Sequence, residues 1–130
     1  MNAYSGAQAY QQVGRFSAIE GATPYQLVCM LMQGAIDKIA IARGMMERHD
    51  YAGKGEALGK TIAIIVELKS SLDHEKGGEI AQNLEDLYDY MCRVLVAASA
   101  DNDTARLDEV SDLLGGLLDT WNQIPEDVRT

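Results

Sequence analysis

The sequence has few of the residues that interrupt helices or cross-link small domains. Its 130 residues include two prolines, Pro24 and Pro125, and the long stretch between them without proline favours uninterrupted helices. The two cysteines, Cys29 and Cys92, lie far apart and form no Cys-x-x-Cys unit. We therefore expect two reduced thiols in or near the core of a cytosolic protein, and no disulfide framework.

Positive charge is also scarce, since the formal net charge is −9. A nucleic-acid-binding protein needs a basic surface for phosphates, and anionic membrane surfaces attract the same kind of surface. The chain has no apparent signal peptide and no apolar run long enough to cross a bilayer. These features predict a single globular cytosolic domain with no nucleic-acid or membrane partner, and they leave a basic or apolar partner open.

Residue patterns for catalysis or metal binding are missing as well. His49 and His74 have no carboxylate or cysteine at ligand spacing on a core face, and no Glu-x-x-His pair of the bundle metal sites occurs. Neither a phosphate-binding GxxxxGK[ST] loop nor a GxGxxG motif is present. The sequence therefore predicts no enzyme activity, no cofactor and no metal.

The stretch from Leu72 to Met91 is the most informative segment that is present. We expect Gly77-Gly78 to adopt the positive-φ conformations that close a helix and turn the chain. Glu79 then places a carboxylate at the positive end of the next helix dipole. An apolar seam follows at steps of three and four residues, formed by Ile80, Leu84, Leu87, Met91, Val94 and Ala98. The segment reads as the corner of an antiparallel helical hairpin.

Apolar periodicity over the rest of the chain predicts an all-α, antiparallel up-down four-helix bundle over residues 23–124. The four helices are expected from Pro24 to about Arg48 or His49, from about Glu56 to His74, from about Glu79 to Ala100, and from about Thr104 to Asn122. Thr23-Pro24 supplies an N-cap and a first-turn proline. Residues 1–22 are expected to form a mobile arm or cap with a short weak helix, and residues 125–130 a polar tail.

Helices 1 to 3 carry more apolar residues than the inside of such a bundle requires. The surplus includes Ile62, Ile64 and Val66 in the second helix, and Val96 in the third. Large exposed apolar patches on soluble proteins usually serve binding. A partner helix, a second copy of the chain or the N-terminal arm would each cover this surface, and a wider core with tilted helices would absorb part of it.

Several motifs together resemble those of the flagellin-specific export chaperones of the FliS family. They are Ala22-Thr23-Pro24 with Gln26-Leu27-Val28 and Met30-Leu31, Gly34-Ala35, Lys54-Gly55-Glu56-Ala57-Leu58, Leu72-Asp73 with Glu75-Lys76-Gly77-Gly78-Glu79-Ile80-Ala81, Leu87-Tyr88-Asp89-Tyr90-Met91, and Glu109-Val110 with Leu113-Leu114 and Trp121. Two positions depart from the pattern: Met32 stands where an aromatic residue is frequent, and Lys38 where an apolar residue is usual. These departures concern the shape of the apolar groove in which a partner helix would bind.

The resemblance implies a cytoplasmic, non-enzymatic chaperone that binds the disordered C-terminal segment of flagellin. Such binding prevents premature polymerisation and keeps flagellin competent for flagellar type III secretion. The expected partner-binding residues are Tyr10, Val13, Leu27, Leu31, Ile62, Ile64, Val66 and Val96. Further candidate partners are the export apparatus and regulatory proteins, and a monomer or weak homodimer is expected. The alternative is a general helical adaptor or regulator-binding bundle that uses the same groove.

Overall fold

The computed structural model describes residues 21–125, which form four α-helices and, within that range, no strand. The helices are α1 (Pro24–Glu47), α2 (Tyr51–Ser70), α3 (His74–Asp101) and α4 (Thr104–Asn122). The predicted arm lies outside the described residues apart from its last two positions, and so do all but the first residue of the predicted tail. The all-α class and the four-helix architecture are confirmed.

Helix α1 begins where the sequence predicted, because a complete capping box fixes its first turn. The Thr23 hydroxyl accepts a hydrogen bond from the Gln26 N–H at 3.1 Å, and the Thr23 N–H donates to the Gln26 side-chain oxygen at 3.0 Å. Pro24 occupies the first turn, where a missing N–H costs nothing. Helix α4 also has the predicted bounds. Asp103 caps its start by accepting a hydrogen bond from the Ala105 N–H at 3.0 Å.

The helices form a closed ring in which consecutive helices pack against each other and α1 packs against α4. Short turns make consecutive helices antiparallel. The Arg43 guanidinium near the end of α1 pairs with Asp108 near the start of α4 at 2.8 Å. Tyr25 at the start of α1 donates to Asn122 at the end of α4 at 3.0 Å. The first and last helices are therefore joined at both ends of the bundle.

The predicted bounds of α2 are wrong at both ends. The helix begins at Tyr51 instead of Glu56 because Asp50 acts as its N-cap, accepting from the Gly53 N–H at 3.0 Å. The predicted loop over residues 49–55 is thus reduced to a turn in which His49 takes a positive φ of 62°. The helix ends at Ser70, so Leu72 lies in the following turn, although it still packs against the core.

The corner predicted at Gly77-Gly78 lies earlier, at residues 71–73. Asp73 caps α3 by accepting from the Lys76 N–H at 3.0 Å, so one helical turn precedes the glycines. The positive φ expected there is confirmed for Gly78, at 52° with ψ −124°, but it interrupts α3 instead of ending a helix. Ile80, predicted to begin the inward seam, is 71% exposed as a result.

The core fills the space between the four inner helix faces. In α3 the deepest residues are Tyr88, Met91, Leu95 and Ala98, whereas the predicted Leu87 and Val94 are only half-buried. In α1 the last buried position is Met46. The fully buried large side chains include Ile39, Leu58, Ile65, Leu68, Met91, Leu95, Leu107, Val110 and Leu114.

A buried lysine closes the end of the bundle where α2 begins and α3 ends. The Lys54 ammonium group donates to the Ser99 carbonyl oxygen at 2.8 Å and to the Asn102 side-chain oxygen at 2.9 Å. Asn102 ends α3 in the left-handed conformation, with φ 51°. Because this cation bonds the carboxyl-terminal end of a helix, it also interacts favourably with the helix dipole.

Candidate functional site

The opposite end of the bundle contains an apolar cavity of about 640 Å³. It lies between the start of α1, the end of α2, the start of α3 and the end of α4. We call it the end cavity, and its lining residues are Pro24, Tyr25, Val28, Met32, Leu68, Ser71, Leu72, Asp73, Lys76, Gly77, Ile80, Ala81, Leu84, Tyr88, Leu117, Thr120, Trp121 and Ile124. A concave, mainly apolar surface of this size is suited to binding apolar groups.

Two aromatic residues build the wall between α1 and α4. The rings of Tyr25 and Trp121 stack with centroids 5.6 Å apart and planes 11° from parallel. The Trp121 indole N–H also donates to the Tyr25 carbonyl oxygen at 3.1 Å. Asn122 accepts from the Tyr25 hydroxyl at 3.0 Å and from the Cys29 thiol at 3.4 Å. This side of the end cavity is therefore a fixed wall.

The opposite wall comes from the turn between α2 and α3 and from the first turn of α3. Leu72, Asp73, Lys76 and Gly77 line it, and the exposed Ile80 follows at the mouth. Gly78 then redirects the chain into the main part of α3. The mouth of the cavity thus combines an exposed apolar side chain with the two charged residues Asp73 and Lys76.

Tyr88 is the most deeply buried titratable residue of the lining, at 3% exposure. Burial raises the pKa of its phenol from 10.0 to about 12, since ionisation would leave a charge in an apolar environment. The phenol is therefore neutral at physiological pH. Within residues 21–125 no three His, Cys, Asp or Glu side chains are grouped as metal ligands would be. The chemistry of the lining suits apolar contact.

A second apolar surface runs along the groove between α2 and α3. The Lys69 ammonium group and Asp89 meet across this groove at 2.7 Å. Val66 and Ile62 precede Lys69 at helical steps on α2, while Cys92 and Val96 follow Asp89 at helical steps on α3. In antiparallel helices these two rows run beside each other. We call the four residues Ile62, Val66, Cys92 and Val96 the α2–α3 strip.

The strip is open to solvent at its valines, because Val66 is 47% and Val96 59% exposed. Ile62 and Cys92 are half-buried against the core. Burial raises the pKa of the Cys92 thiol, which keeps it protonated. Both cysteines are free thiols. Among the described residues, no helix combines the length and the low polarity that a membrane span requires.

The predicted partner-binding residues fall into three groups. Ile62, Val66 and Val96 belong to the α2–α3 strip. Leu27, Leu31 and Ile64 are core residues at 8%, 3% and 4% exposure, so the bundle itself uses their apolar area. Tyr10 and Val13 lie outside the described residues.

Sequence reasoning missed the end cavity because it is formed where residues distant in the chain meet. The available signal was the antiparallel arrangement, which brings Tyr25 near the start of α1 to Trp121 near the end of α4. Met32, which stands where the family frequently has an aromatic residue, lines the cavity at 3% exposure, and its flexible thioether side chain can fit an irregular apolar surface.

Comparisons with known proteins agree over nearly the whole chain. The family model described as flagellar protein FliS matches residues 6–128. The flagellar secretion chaperone FliS of Salmonella typhimurium is 49% identical over 121 residues, covering 92% of this chain and 90% of that protein. The flagellar secretion chaperone FliSB of Pseudomonas aeruginosa is 45% identical over 124 residues, covering 95% of this chain and 98% of that protein. The flagellar secretion chaperone FliS of Bacillus subtilis is 36% identical over 121 residues, covering 93% of this chain and 86% of that protein.

Proposed function

This chain belongs to the FliS family of flagellar secretion chaperones, and we propose that it binds the disordered C-terminal segment of flagellin in the cytosol. The family consists of chaperones and not of enzymes. Bound in this way, the flagellin segment cannot polymerise prematurely, and the subunit stays competent for flagellar type III secretion.

The observation that carries the proposal is the presence of two apolar surfaces along the same side of the bundle, the end cavity and the α2–α3 strip, with the Lys69–Asp89 pair between them. On α3, Leu84 lines the cavity and Val96 lies in the strip. Twelve residues of helix separate them, a rise of about 18 Å. One amphipathic helix of the client, about three turns long, would reach from the cavity to the exposed valines.

The physical advantage for the client lies in covering an apolar face that it cannot bury alone. Each Å² of apolar area removed from water contributes roughly 25 cal/mol, and the cost of ordering a disordered segment offsets part of this gain. An extended interface of moderate affinity results. Such an affinity suits a client that must later be handed to the export apparatus.

We test the proposal with a synthetic peptide of the flagellin C-terminal segment from the same organism. Titration calorimetry should give one peptide per chain, a dissociation constant of micromolar or below, and a negative heat-capacity change from apolar burial. Circular dichroism should show more helix in the mixture than in the two separate components. A lack of binding at tens of micromolar would refute the proposal. Binding of another helical protein instead would favour the adaptor alternative.

Tyr10 in the arm is part of the same proposal. Gly21 lies three positions before Pro24 of the cavity lining, so the arm joins the bundle beside the end cavity. Replacing Tyr10 by Ala should change the affinity for the flagellin peptide and leave the melting temperature nearly unchanged. Tyr4→Ala is the matched control in the same arm. A large loss of stability with unchanged affinity would give Tyr10 a purely structural role.

A further inference from the structure

The wall of the end cavity opposite Trp121 is a single helical turn, and the chain is non-helical on both sides of it. We call residues 72–78 the wall turn. On one side α2 has ended at Ser70, and on the other Gly78 leaves the helical conformation. Within the turn, the Gly77 N–H donates to the Asp73 carbonyl oxygen at 2.8 Å and the Lys76 N–H donates to the Asp73 carboxylate at 3.0 Å.

The two glycines have different roles in the wall turn: Gly78 can act as a hinge, and Gly77 allows close packing against α3. Gly78 has φ 52° and ψ −124°, a combination that residues with a Cβ rarely adopt. A Cβ on Gly77 would lie 2.8 Å from the Cβ of Ala81, so the turn packs directly on the beginning of the main part of α3. A large change in backbone angles at Gly78 would release the turn from the main part of α3, and a released single turn is too short to keep its internal hydrogen bonds.

A close contact between two polar side chains holds the wall turn against the main part of α3. His74 Nε2 and Glu85 Oε1 lie 3.0 Å apart. Eleven residues of straight helix would separate them by about 16 Å along the axis, so the contact exists because the chain folds back at Gly78. Both side chains are partly exposed, at 43% and 30%, and an exposed pair of this kind breaks readily.

Lys69 of α2 adds a positive charge to the same cluster. Its hydrogen bond to Asp89, and to a smaller extent the charge of Glu85, raise the pKa of the Lys69 ammonium group. Glu85 thus has a cationic group of α2 on one side and the wall turn on the other. The carboxylate links the turn to the groove that contains the α2–α3 strip.

We propose that the wall turn is a movable gate of the end cavity, hinged at Gly78 and held closed by the pair of His74 with Glu85. The gate opens to admit the client helix and closes behind it. This inference rests on the proposed binding of flagellin at the same cavity, and it concerns how the site is regulated.

The first experiment compares Glu85→Ala with Asp108→Ala by stopped-flow association of the flagellin peptide. Both variants remove a partly exposed carboxylate from a contact between two chain segments, but Asp108 pairs with Arg43 far from the end cavity. Glu85→Ala should raise the association rate about two- to five-fold, the factor that one exposed pair supplies. Asp108→Ala should leave it unchanged. Equal rates for the two variants would overturn the gate.

Hydrogen exchange of the free protein gives a readout that needs no client. The Gly77 and Lys76 amides are bonded only while the turn is formed, so Glu85→Ala should accelerate their exchange about two- to five-fold relative to Asp108→Ala. Equal exchange in the two variants overturns the gate. Absence of peptide binding by the unmodified protein overturns the proposed function instead, so the two failures are separate.

A disulfide provides the second variant. The double substitution Gly77→Cys, Ala81→Cys, in a Cys29→Ser, Cys92→Ser background, would fix the gate closed, since the Cβ positions need to separate only to about 3.8 Å. Peptide association should be at least roughly tenfold slower in the oxidised form and should recover on reduction. Identical association rates in the oxidised and reduced forms would overturn the proposal.

Discussion

The indole of Trp121 stacks on the ring of Tyr25 and donates its N–H to the backbone of that same residue. These two contacts join the last turn of α4 to the first turn of α1. They form one wall of the end cavity from residues almost a hundred positions apart. At this end of the bundle, the aromatic pair therefore holds α1 and α4 together, while the wall turn is the part that moves to open the end cavity.

Replacing Trp121 by Phe should keep an aromatic ring in the wall and lose the hydrogen bond to Tyr25. We expect the free energy of unfolding to fall by about 1–2 kcal/mol, from the lost bond and the smaller ring. Denaturant unfolding followed by circular dichroism measures this change. Tyr25→Phe keeps the stacked ring and removes the exposed hydrogen bond to Asn122, so it should cost less. The opposite order of the two variants would contradict the assigned roles.

Ile80 should contribute to flagellin binding and hardly at all to folding, because it is 71% exposed at the mouth of the cavity. Covering this side chain with client contributes up to about 2 kcal/mol, so Ile80→Ser should weaken peptide binding by roughly 10- to 30-fold. Calorimetry measures the affinity. Ile41→Ser is the matched control, since Ile41 is 50% exposed on α1 and lies outside the cavity lining. Equal losses in both variants would place the binding surface elsewhere.

Lys54 should matter for stability through its buried hydrogen bonds. Lys54→Met keeps the aliphatic chain but leaves the Ser99 carbonyl and the Asn102 side chain without their donor. We expect a loss of about 1–3 kcal/mol in the free energy of unfolding, seen as a lower denaturant midpoint at an unchanged slope. Lys60→Met removes an exposed pair with Glu56 and should change the midpoint little. A midpoint for Lys54→Met equal to that of Lys60→Met would contradict this role.

The raised pKa of the buried Tyr88 phenol leads us to expect that the protein loses stability in alkaline solution. Its folded-state pKa of about 12 lies above the ordinary value of 10.0, so folding favours the protonated phenol. The stabilisation is complete below pH 10 and is lost as the pH rises from 10 towards 12. At pH 11 the loss from this group is about 1.4 kcal/mol.

Other groups titrate in the same range, so the measurement is a comparison with Tyr88→Phe. The difference in unfolding free energy between the two proteins should shift by about 1.4 kcal/mol, against the unmodified protein, between pH 8 and pH 11. A constant difference across that range would show that Tyr88 ionises as it does in the unfolded chain.

The helix ends that could be predicted are those with strong local signals. Thr23-Pro24 and Asp103-Thr104 fix the starts of α1 and α4, because a capping side chain and a first-turn residue act within a few positions. The start of α2 was missed because Gly53 and Gly55 suggest a loop. Asp50 nevertheless caps a helix there, and Gly53 is required by the close approach of the Asp50 and Met45 side chains.

The inner face of α3 shows the limit of periodicity. The predicted seam and the observed buried positions share Met91 and Ala98, and Ala81, Tyr88 and Leu95 replace Ile80, Leu87 and Val94 one position away. Both rows have the same spacing, so the choice between them depends on where α2 and α4 pack. The end cavity was beyond sequence reasoning for the same reason, since it depends on the relative placement of all four helices.

Trp121 is the single tryptophan of the chain, and it stands in the cavity wall. Its fluorescence therefore comes from this end of the bundle alone. A client that enters the cavity changes the polarity around one indole, and the emission maximum follows without any attached label. The protein thus contains its own optical probe of occupancy, placed opposite the wall turn.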